Sequence, residues 1–323
     1  MVTGTEPMRE HHYRPDRALV TGGAGFIGSH LSTSLLAGGA KVRVLDDLSS
    51  GHRRNLAEGT EFVEASILDE GKVREAIAGC EAVVHLAAEV SVPRTWEDPE
   101  RAFRINLEGT ERVFRIAGEL GVRSVVFASS AAVYGPTPSL PSKEGDRFDC
   151  ASPYAAHKAS GELLLQSYAR RYGFHAASLR FFNVFGPRQD PNSAYAAVIS
   201  AFMDAAAAGR RPLVFGDGSQ TRDFVPVADV VEAIRLASDP ERALRGEAFN
   251  VGLGERRSLL DLLRTLAQVS GRELDPEFRP PRSGDVPHSC ASIERATREL
   301  GYAPPVSFEE GLAATWRWAS AAG

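Results

Sequence analysis

A tyrosine and a lysine four residues apart are the side chains that most clearly indicate chemistry in this sequence. Tyr154 and Lys158 follow Pro153, and proline favours the first position of a helix. A spacing of four residues places both side chains on one helical face. A nearby ammonium group favours the ionised phenol, so Lys158 is expected to lower the pKa of Tyr154 and make it a general base. The spacing alone also fits an amphipathic helix with a half-buried tyrosine and a solvated lysine.

A glycine-rich turn near the beginning of the chain predicts a nucleotide site. It follows a short apolar run at 17–21 and precedes a segment with helical periodicity at 29–36. Its glycines are spaced so that backbone amides can approach a pyrophosphate at the positive end of a helix. The predicted cofactor contacts in this turn are Gly22, Gly25, Phe26, Ile27 and Gly28.

An aspartate at the end of the next predicted strand indicates which dinucleotide is bound. Asp46 follows the strand at 41–45 and lies close to where an acidic group would hold the adenosine ribose. A carboxylate there disfavours a ribose phosphate, which indicates NAD rather than NADP. Arg43, Arg53 and Arg54 lie nearby and leave NADP open, and Asp46 could also be a solvated strand end.

Composition excludes several classes of function. The chain has 323 residues, a net charge of -5 and three scattered cysteines. Because it lacks a basic stripe, a disulfide framework or metal-ligand spacing, we expect no nucleic-acid partner, no metal and a reducing compartment. Residues 1–16 are polar and are expected to form a flexible tail, and no segment has eighteen apolar residues in a row. We therefore expect a cytoplasmic protein without a membrane partner.

Strand-like and helical segments alternate through the first half of the chain. Predicted strands at 61–64, 82–86, 124–128 and 176–182 alternate with predicted helices at 70–78, 99–120 and 154–172. This pattern predicts an α/β fold with a Rossmann-type doubly wound parallel sheet over residues 1–182. Beyond 183 the pattern is broken by Gly-Pro and Pro-Pro steps. We expect residues 183–323 to form a smaller C-terminal α/β substrate-binding lobe, with some segments packing back on the first domain.

Five motifs in this order resemble those of a known family. They are TGGAGFIG at 21–28, HLAA at 85–88, SSAAVYG at 129–135, YAAHK at 154–158 and RFFNVFGP at 180–187. Together they resemble the extended short-chain dehydrogenase/reductases that act on nucleotide-linked sugars, and the resemblance covers nearly the whole chain. It implies a bound NAD, a UDP-sugar substrate and a homodimer.

The resemblance also implies roles for individual residues. Ser130, preferred to Ser129, would hydrogen-bond the sugar hydroxyl beside Tyr154, and Lys158 would also hold the nicotinamide ribose. Arg222 and Arg282 would clamp the diphosphate, which suits guanidinium forks. The remaining cofactor contacts would be Ser66, Ile67, Leu86, Ala87, Ala88 and Phe181, with Tyr154 and Lys158. The remaining substrate contacts would be Ser91, Asn106, Asn183, Phe215, Asp285 and Ser289.

Two alanines narrow the reaction that the resemblance implies. Dehydratases of this kind carry Asp-Glu where Ala131 and Ala132 stand, because elimination of water needs carboxyl groups. The chain therefore resembles a 4-epimerase. Ser289 stands where enzymes restricted to glucose and galactose have tyrosine, and the segments at 91–94 and 189–199 resemble the branch that handles UDP-N-acetylhexosamines. We expect UDP-N-acetylglucosamine and UDP-N-acetylgalactosamine to be interconverted, with or without the pair UDP-glucose and UDP-galactose.

Two departures and two other functions stay open. Ser66 replaces an aspartate that binds adenine in the family, so looser NAD binding is expected, and Glu89 replaces an uncharged or basic residue. Glu89 could face the nicotinamide or the solvent. The alternative functions are a UDP-glucuronate 4-epimerase or another nucleotide-sugar enzyme such as a 4-ketoreductase, and a non-catalytic NAD-binding module.

Overall fold

A parallel sheet of seven strands forms the centre of the computed structural model, which describes residues 13–136, 139–190, 198–281 and 286–321. Its strands are β1 (Arg17–Thr21), β2 (Lys41–Asp46), β3 (Glu61–Glu64), β4 (Ala82–His85), β5 (Ser124–Ser130), β6 (His175–Phe181) and β11 (Arg245–Val251). They lie in the order β11-β6-β5-β4-β1-β2-β3. The first and third predicted strands have the predicted bounds, and the parallel arrangement confirms the predicted fold class.

Helices cover both faces of this sheet. The α-helices of the described residues are α1 (Phe26–Ala37), α2 (Glu70–Ile77), α3 (Val92–Glu97), α4 (Pro99–Phe103), α5 (Thr110–Glu119), α6 (Pro153–Tyr172), α7 (Val198–Ala207), α8 (Val227–Ala237), α9 (Leu259–Ser270), α10 (Glu294–Leu300) and α11 (Phe308–Ala321). Helices α1, α8 and α10 bury their apolar sides on one face, and α2, α5 and α6 bury theirs on the other. Within the described residues, no helix combines the length and the apolarity needed to cross a membrane.

Helix α6 begins and ends for local reasons. Pro153 is its first residue, as predicted, and the Ser152 side chain accepts a hydrogen bond from the Ala155 amide as an N-cap. Gly173 ends the helix in the left-handed conformation, with a φ of 80°. Capping residues therefore define where this helix begins and ends, and with that the positions of Tyr154 and Lys158 along it.

The helix predicted over 99–120 contains an interruption that its periodicity did not indicate. Residues Arg104–Gly109 form a turn of π-helix between α4 and α5. Such turns often occur at functional sites, where they redirect a side chain. Here the turn contains Asn106, one of the predicted substrate contacts.

A second, smaller core lies in the C-terminal part of the chain. Three strand pairs contribute to it: β7 (Asn183–Phe185) with β10 (Phe224–Pro226), β8 (Leu213–Phe215) with β13 (Glu277–Arg279), and β9 (Thr221–Arg222) with β12 (Arg257–Ser258). Aromatic and aliphatic side chains of α7, α9 and α11 pack together beside them. Strand β11 leaves this part of the chain and pairs with β6 in the large sheet.

The predicted site residues converge at one edge of the large sheet. Thr21, Asp46, His85 and Ser130 each end a strand, and because the strands are parallel these ends meet at the same edge. The register of β5 and β6 places Ser130 opposite Phe181. In folds of this kind, ligands bind outside the carboxyl ends of the strands.

Candidate functional site

The glycine-rich turn is shaped by close approaches of the backbone. Gly22 has a φ of +70°, and a Cβ atom there would lie 2.8 Å from the amide nitrogen of Ala87. A Cβ at Gly28 would lie 2.3 Å from the carbonyl oxygen of Gly22. The N-cap of α1 is Gly25, and no side chain caps the helix, so the first amides of Phe26 and Ile27 remain available to an anion. The turn therefore fits the pyrophosphate of a dinucleotide.

Asp46 holds the glycine turn against the end of β2. Its carboxylate accepts hydrogen bonds from the amide of Ala24 at 3.0 Å and from the amide of Leu48 at 2.8 Å. Burial raises the pKa of this carboxyl, and the two amides oppose that shift. Each oxygen keeps a second lone pair, so a ribose diol can still donate to this carboxylate.

Two of the arginines that left NADP open have other partners. Arg43 is buried and donates to the carbonyl oxygens of residues 75, 76 and 78, where α2 ends. It also lies 2.8 Å from a carboxylate oxygen of Glu61. Arg53 pairs with Glu64. Both guanidinium groups are used within the protein, which favours the NAD interpretation.

A buried histidine organises the loop that faces the glycine turn. His85 lies between two threonines, with Nδ1 2.7 Å from Thr21 Oγ1 and Nε2 3.0 Å from Thr110 Oγ1. Thr110 donates to a backbone carbonyl, so its oxygen accepts from Nε2–H, and Thr21 donates to Nδ1. Burial, with a contribution from Lys158, lowers the pKa of His85 to about 3, so the ring is neutral.

The same network positions three of the predicted cofactor contacts. The amides of Leu86 and Ala87 donate to Thr21 Oγ1 at 3.2 and 3.3 Å, and Ala88 follows directly. This loop approaches Gly22, as the short distance from Ala87 shows. His85, part of the motif at 85–88, thus orients the Thr21 hydroxyl from within the core.

Two predicted cofactor contacts, Ser66 and Ile67, lie between β3 and α2. Ser66 Oγ accepts a hydrogen bond from the amide of Leu68 at 3.2 Å, so one of its lone pairs is used locally. Ile67 is buried in the core, and its carbonyl oxygen accepts from Arg112. Ser66 keeps one lone pair and its proton, which is less than the aspartate of the family would offer.

Ser130, Tyr154 and Lys158 are brought together by β5 and α6. The Ser130 hydroxyl lies beside the Tyr154 phenol, close enough to lower its pKa, and it accepts a hydrogen bond from the amide of Ala132 at 3.2 Å. Lys158 is only 5% exposed, and its Nζ donates to the carbonyl oxygen of Ala128 at 2.7 Å. The buried lysine excludes the alternative of a solvated one on an ordinary amphipathic helix.

The prediction that Lys158 lowers the pKa of Tyr154 is wrong for the protein chain alone, in which this pKa is raised. Burial raises the pKa of Tyr154, and the hydrogen bond from Ser130 lowers it only in part. Lys158 Nζ lies 5.8 Å from the centre of the tyrosine ring and points to Ala128. Burial also lowers the pKa of Lys158, to about 8. Spacing on a helix indicated proximity, but it did not include the cost of removing both groups from water.

Glu89 is neither exposed nor without a partner. Its side chain is mostly buried, Oε1 accepts from the amide of Ser91 at 3.0 Å, and Oε2 lies 3.6 Å from Arg101 and 3.8 Å from Arg94. The Asn106 side chain forms two hydrogen bonds with the backbone of Glu89. Its Oδ1 accepts from the Glu89 amide, and its Nδ2 donates to the Glu89 carbonyl oxygen. Ser91 caps α3 by accepting from the Arg94 amide. Asn106 and Ser91 therefore shape this loop, and each also has a role proposed toward the substrate.

Three predicted substrate contacts are connected through one stretch of backbone. Arg222 lies between Thr221 and Asp223. The amide of Asn183 donates to the carbonyl oxygen of Asp223, and the amide of Ser289 donates to the carbonyl oxygen of Thr221. Phe215 ends β8, and its carbonyl oxygen accepts from Gln220. Phe181 is buried at the end of β6. The predicted contacts Arg282 and Asp285 lie outside the described residues, as do residues 191–197 of the segment at 189–199.

Sequence reasoning missed Asp223, which binds the backbone of two other segments of the chain. Its fully buried carboxylate accepts from the amides of Leu253, Gly254 and Ala291 at 2.8, 3.0 and 3.0 Å. Burial raises its pKa to about 6, and the three amides oppose the shift. The sequence offered one signal for Asp223: it directly follows Arg222, a predicted phosphate-binding residue, and no role had been predicted for its carboxylate.

The depressed pKa of Lys158 predicts a pH-dependent difference in stability between the wild type and Lys158→Met. Below pH 8 the charged lysine is buried at a cost, and that cost disappears as pH rises through its folded pKa of about 8 towards the ordinary 10.5. The free energy of unfolding of the wild type should thus rise by about 2 kcal/mol relative to Lys158→Met between about pH 7 and 9.5. Urea denaturation at both pH values measures this difference. The exposed control Lys41→Met should show none, and a pH-independent difference for Lys158→Met would contradict the assignment.

Comparison with known proteins identifies the family. A model of the NAD dependent epimerase/dehydratase family matches residues 18–252. The chain is 44% identical over 308 residues to the UDP-glucose 4-epimerase of Mycolicibacterium smegmatis, covering 93% of this chain and 97% of the relative. These matches confirm the resemblance that the sequence motifs indicated.

Solved structures agree with this result over almost the entire chain. The UDP-N-acetylglucosamine 4-epimerase of Methanobrevibacter ruminantium, in complex with UDP-N-acetylmuramic acid, is 37% identical with a TM-score of 0.90, covering 95% of this chain and 98% of that one. The UDP-glucose 4-epimerase of Thermus thermophilus, in complex with NAD, is 37% identical with a TM-score of 0.86, covering 95% and 100%. The chain therefore belongs to the NAD-dependent epimerase/dehydratase family, and it is an enzyme whose cofactor is NAD.

Proposed function

We propose that this enzyme interconverts UDP-sugars that differ in configuration at carbon 4. The observation that carries the proposal is that Ser130 and Tyr154 lie together beside the buried Lys158, whose Nζ is 5.8 Å from the centre of the tyrosine ring. Directly after Ser130, Ala131 and Ala132 begin a short helical turn and present only methyl groups. A site with an alcohol-oxidising trio and no carboxylate at these two positions suits oxidation and reduction of a hydroxyl carbon rather than elimination of water.

The proton chemistry belongs to Tyr154. As a phenolate it accepts the proton of the carbon-4 hydroxyl, and as a phenol it returns that proton when the carbonyl is reduced. Ser130 donates to the same oxygen and stabilises the phenolate. Because burial raises the pKa of Tyr154, positive charge close to the phenol is needed for ionisation near neutral pH, and Lys158 supplies one such charge.

NAD, when bound, supplies an electrophilic nicotinamide that takes the carbon-4 hydride and gives it back to the opposite face of the 4-keto sugar. The residues proposed to hold it are those of the glycine turn, Asp46, the loop at 86–88 and Lys158. The collisions that a Cβ atom would cause at Gly22 and Gly28 support this assignment. Since hydride and proton both return to the sugar, no cofactor is consumed.

The proposed substrates are UDP-N-acetylglucosamine and UDP-N-acetylgalactosamine, with UDP-glucose and UDP-galactose as smaller substrates of the same site. Support comes from Ser289, a small side chain on a loop tethered by its backbone to Thr221, next to Arg222. Arg222 and Asn183 are proposed to bind the diphosphate and the sugar, and Phe215 to lie beside the uracil. A small side chain at position 289 leaves space that an N-acetyl group can fill.

Two other activities on the same fold can be distinguished by assay. A UDP-glucuronate 4-epimerase would turn over the uronate but not the neutral sugars. A net 4-ketoreductase would consume added NADH in stoichiometric amount, whereas an epimerase would not. A panel of UDP-sugars, with product epimers resolved by chromatography and NADH followed by absorbance, separates these activities, and absence of turnover on the whole panel would favour a non-catalytic NAD-binding module.

A homodimer is supported by apolar side chains on neighbouring helices. Trp96 on α3, Phe103 on α4 and Leu163 on α6 are 63%, 46% and 58% exposed. Helices α3 and α4 both pack against α6, so these side chains lie on one region of the surface. Exposed apolar groups of this size favour association between subunits.

A reducing compartment, and hence the cytoplasm, is supported by the cysteines. Cys80, Cys150 and Cys290 are all unpaired. Cys80 and Cys290 are buried, and burial raises the pKa of each thiol. Such thiols behave as ordinary core residues rather than as partners in disulfides.

Removal of the phenol oxygen should abolish turnover without releasing the cofactor. We expect Tyr154→Phe to lower kcat for UDP-sugar epimerisation by about a hundredfold or more, while the NAD content of the purified protein stays the same. The matched control is Tyr168→Phe on the same helix, where the hydroxyl donates to Glu111 away from the site. Near-normal turnover of Tyr154→Phe would overturn the assignment of the base.

A large side chain at position 289 should exclude substrates that carry an N-acetyl group. We expect Ser289→Tyr to abolish turnover of the N-acetylated pair and to retain that of UDP-glucose and UDP-galactose, because overpacking costs about 1 to 3 kcal/mol or more. Ser289→Ala, which leaves the space open, should retain both. Equal losses on both pairs in Ser289→Tyr would mean that another residue sets the size of the pocket.

A charge on the apolar region of the surface should separate the subunits. We expect the molar mass of Leu163→Glu, measured by light scattering during size-exclusion chromatography, to be half that of the wild type, because a carboxylate is costly in a buried interface. Leu213→Glu, at a leucine of similar exposure on β8, is the control and should leave the mass unchanged. A monomeric wild type would contradict the proposed dimer.

A further inference from the structure

A buried ion pair lies directly behind the catalytic helix. Glu162 on α6 and Arg180 on β6 form two parallel hydrogen bonds, Nε to Oε1 at 2.9 Å and Nη2 to Oε2 at 2.7 Å. Their side chains are 2% and 4% exposed. The Ser129 hydroxyl donates a third hydrogen bond to Glu162 Oε1. The carboxylate is thus held from two strands at once.

The position of this pair in the chain connects it with the reacting groups. Glu162 lies one helical turn after Lys158 and two turns after Tyr154, on the same buried side of α6. Ser129 directly precedes Ser130 on β5. The bond between Ser129 and Glu162 therefore joins the strand that carries Ser130 to the helix that carries Tyr154.

Further hydrogen bonds extend from Arg180 to the rest of the sheet. Its Nη1 donates to the Tyr134 hydroxyl at 2.9 Å and to the carbonyl oxygen of Glu144 at 3.1 Å. Tyr134 in turn donates to Asn250 Oδ1 on β11 at 2.6 Å. Helix α6 is therefore attached to β5 by Ser129, to β6 by Arg180 itself, and to β11 through Arg180 and Tyr134.

Stability alone does not account for this pair. Removing two charges from water costs several kcal/mol each, and well-packed apolar residues often serve as well or better in the same place. Close apolar contact between α6 and the sheet is already present, since a Cβ atom at Gly161 would lie 2.6 Å from the ring of Phe127. Apolar contact of this kind is not directional. Two parallel hydrogen bonds, in contrast, define both the rotation of the helix about its own axis and its position along that axis.

We propose that the Glu162–Arg180 pair, with Ser129, is a positioning device that holds α6 so that the Tyr154 hydroxyl meets Ser130. The proposal rests on the proposed function for its kinetic consequences. Neither charged residue has a place in the predicted contacts with substrate or cofactor, so both act through Tyr154 and Lys158. Loss of the device should lower kcat while KM and NAD binding change little, because most of the proposed contacts with the diphosphate and the dinucleotide, those of the glycine turn, Asp46 and Arg222, lie on other elements.

The experiment compares variants chosen to keep the fold. Glu162→Leu combined with Arg180→Met removes both charges and leaves no unpaired one buried, and Ser129→Ala removes only the link to β5. The control is Glu232→Leu combined with Arg235→Met, which removes a partly exposed pair on α8. We expect the first double variant to melt within a few degrees of the wild type, to lose kcat by about tenfold or more and to keep KM within about twofold. We expect Ser129→Ala to show a smaller loss, and the control to show none.

A second measurement does not depend on turnover. The titration of Tyr154 is obtained as the ultraviolet difference between each protein and its Tyr154→Phe counterpart. Because Ser130 lowers the pKa of Tyr154, loss of that hydrogen bond should move the titration, and the ascending limb of kcat/KM, to higher pH. A merely structural role would reduce the folded fraction without this shift. Lys158 on the same helix and Ser130 on β5 lie beside Tyr154, and every variant keeps both.

The outcomes separate the two proposals. A folded Glu162→Leu, Arg180→Met variant with wild-type kcat and an unchanged Tyr154 titration overturns the positioning role. A wild type inactive on every UDP-sugar, in which the titration still shifts in the double variant, overturns the proposed function and retains the positioning role. If the double variant does not fold, Ser129→Ala with an unchanged titration and unchanged kcat overturns the proposal.

Discussion

Burial of charge on a single helix is the constraint around which the active centre is built. Helix α6 carries Lys158 and Glu162 into the protein one turn apart, and each requires a partner that water no longer provides. Lys158 finds the carbonyl oxygen of Ala128, and Glu162 finds Arg180 and Ser129. All these partners lie on β5 and β6. The need to satisfy two buried charges therefore determines where the helix lies, and that position determines what Tyr154 can reach.

The cofactor side of the site is held by neutral groups instead. His85 lies beneath the carboxyl edge of the sheet, stacked on Phe127 and bonded to a threonine on each side. Its strongly lowered pKa keeps it uncharged, so it can accept from Thr21 and leave the threonine oxygen free to receive two amides. A charged ring could not accept that hydrogen bond. The backbone of the loop at 86–88 is thus oriented without a second cation beside Lys158.

Periodicity and motif spacing predicted the sheet, its helices and the family, because buried strands and amphipathic helices have regular patterns. The π-turn at Arg104–Gly109 had no such pattern, and β11 lies in a part of the chain with many breaks. The predicted site residues at the strand ends did converge. The direction of the Tyr154 pKa was predicted wrongly, since desolvation depends on what surrounds a side chain and spacing does not report it. For the same reason, the partners of Glu89 and the segments bound by Asp223 became visible only in three dimensions.

The loop that carries Ser289 is attached to the protein by main-chain atoms. The amide of Ser289 bonds to the carbonyl oxygen of Thr221, and the amide of Ala291 bonds to the carboxylate of Asp223. The side chain at position 289 takes no part in either bond, so these two anchors do not depend on which side chain stands there as long as the residue keeps its amide hydrogen. If position 289 lines the sugar pocket as proposed, the residue that selects the substrate is not one of the side chains that anchor its loop. Mutation at this position would then change the substrate range during evolution at little cost in folding stability.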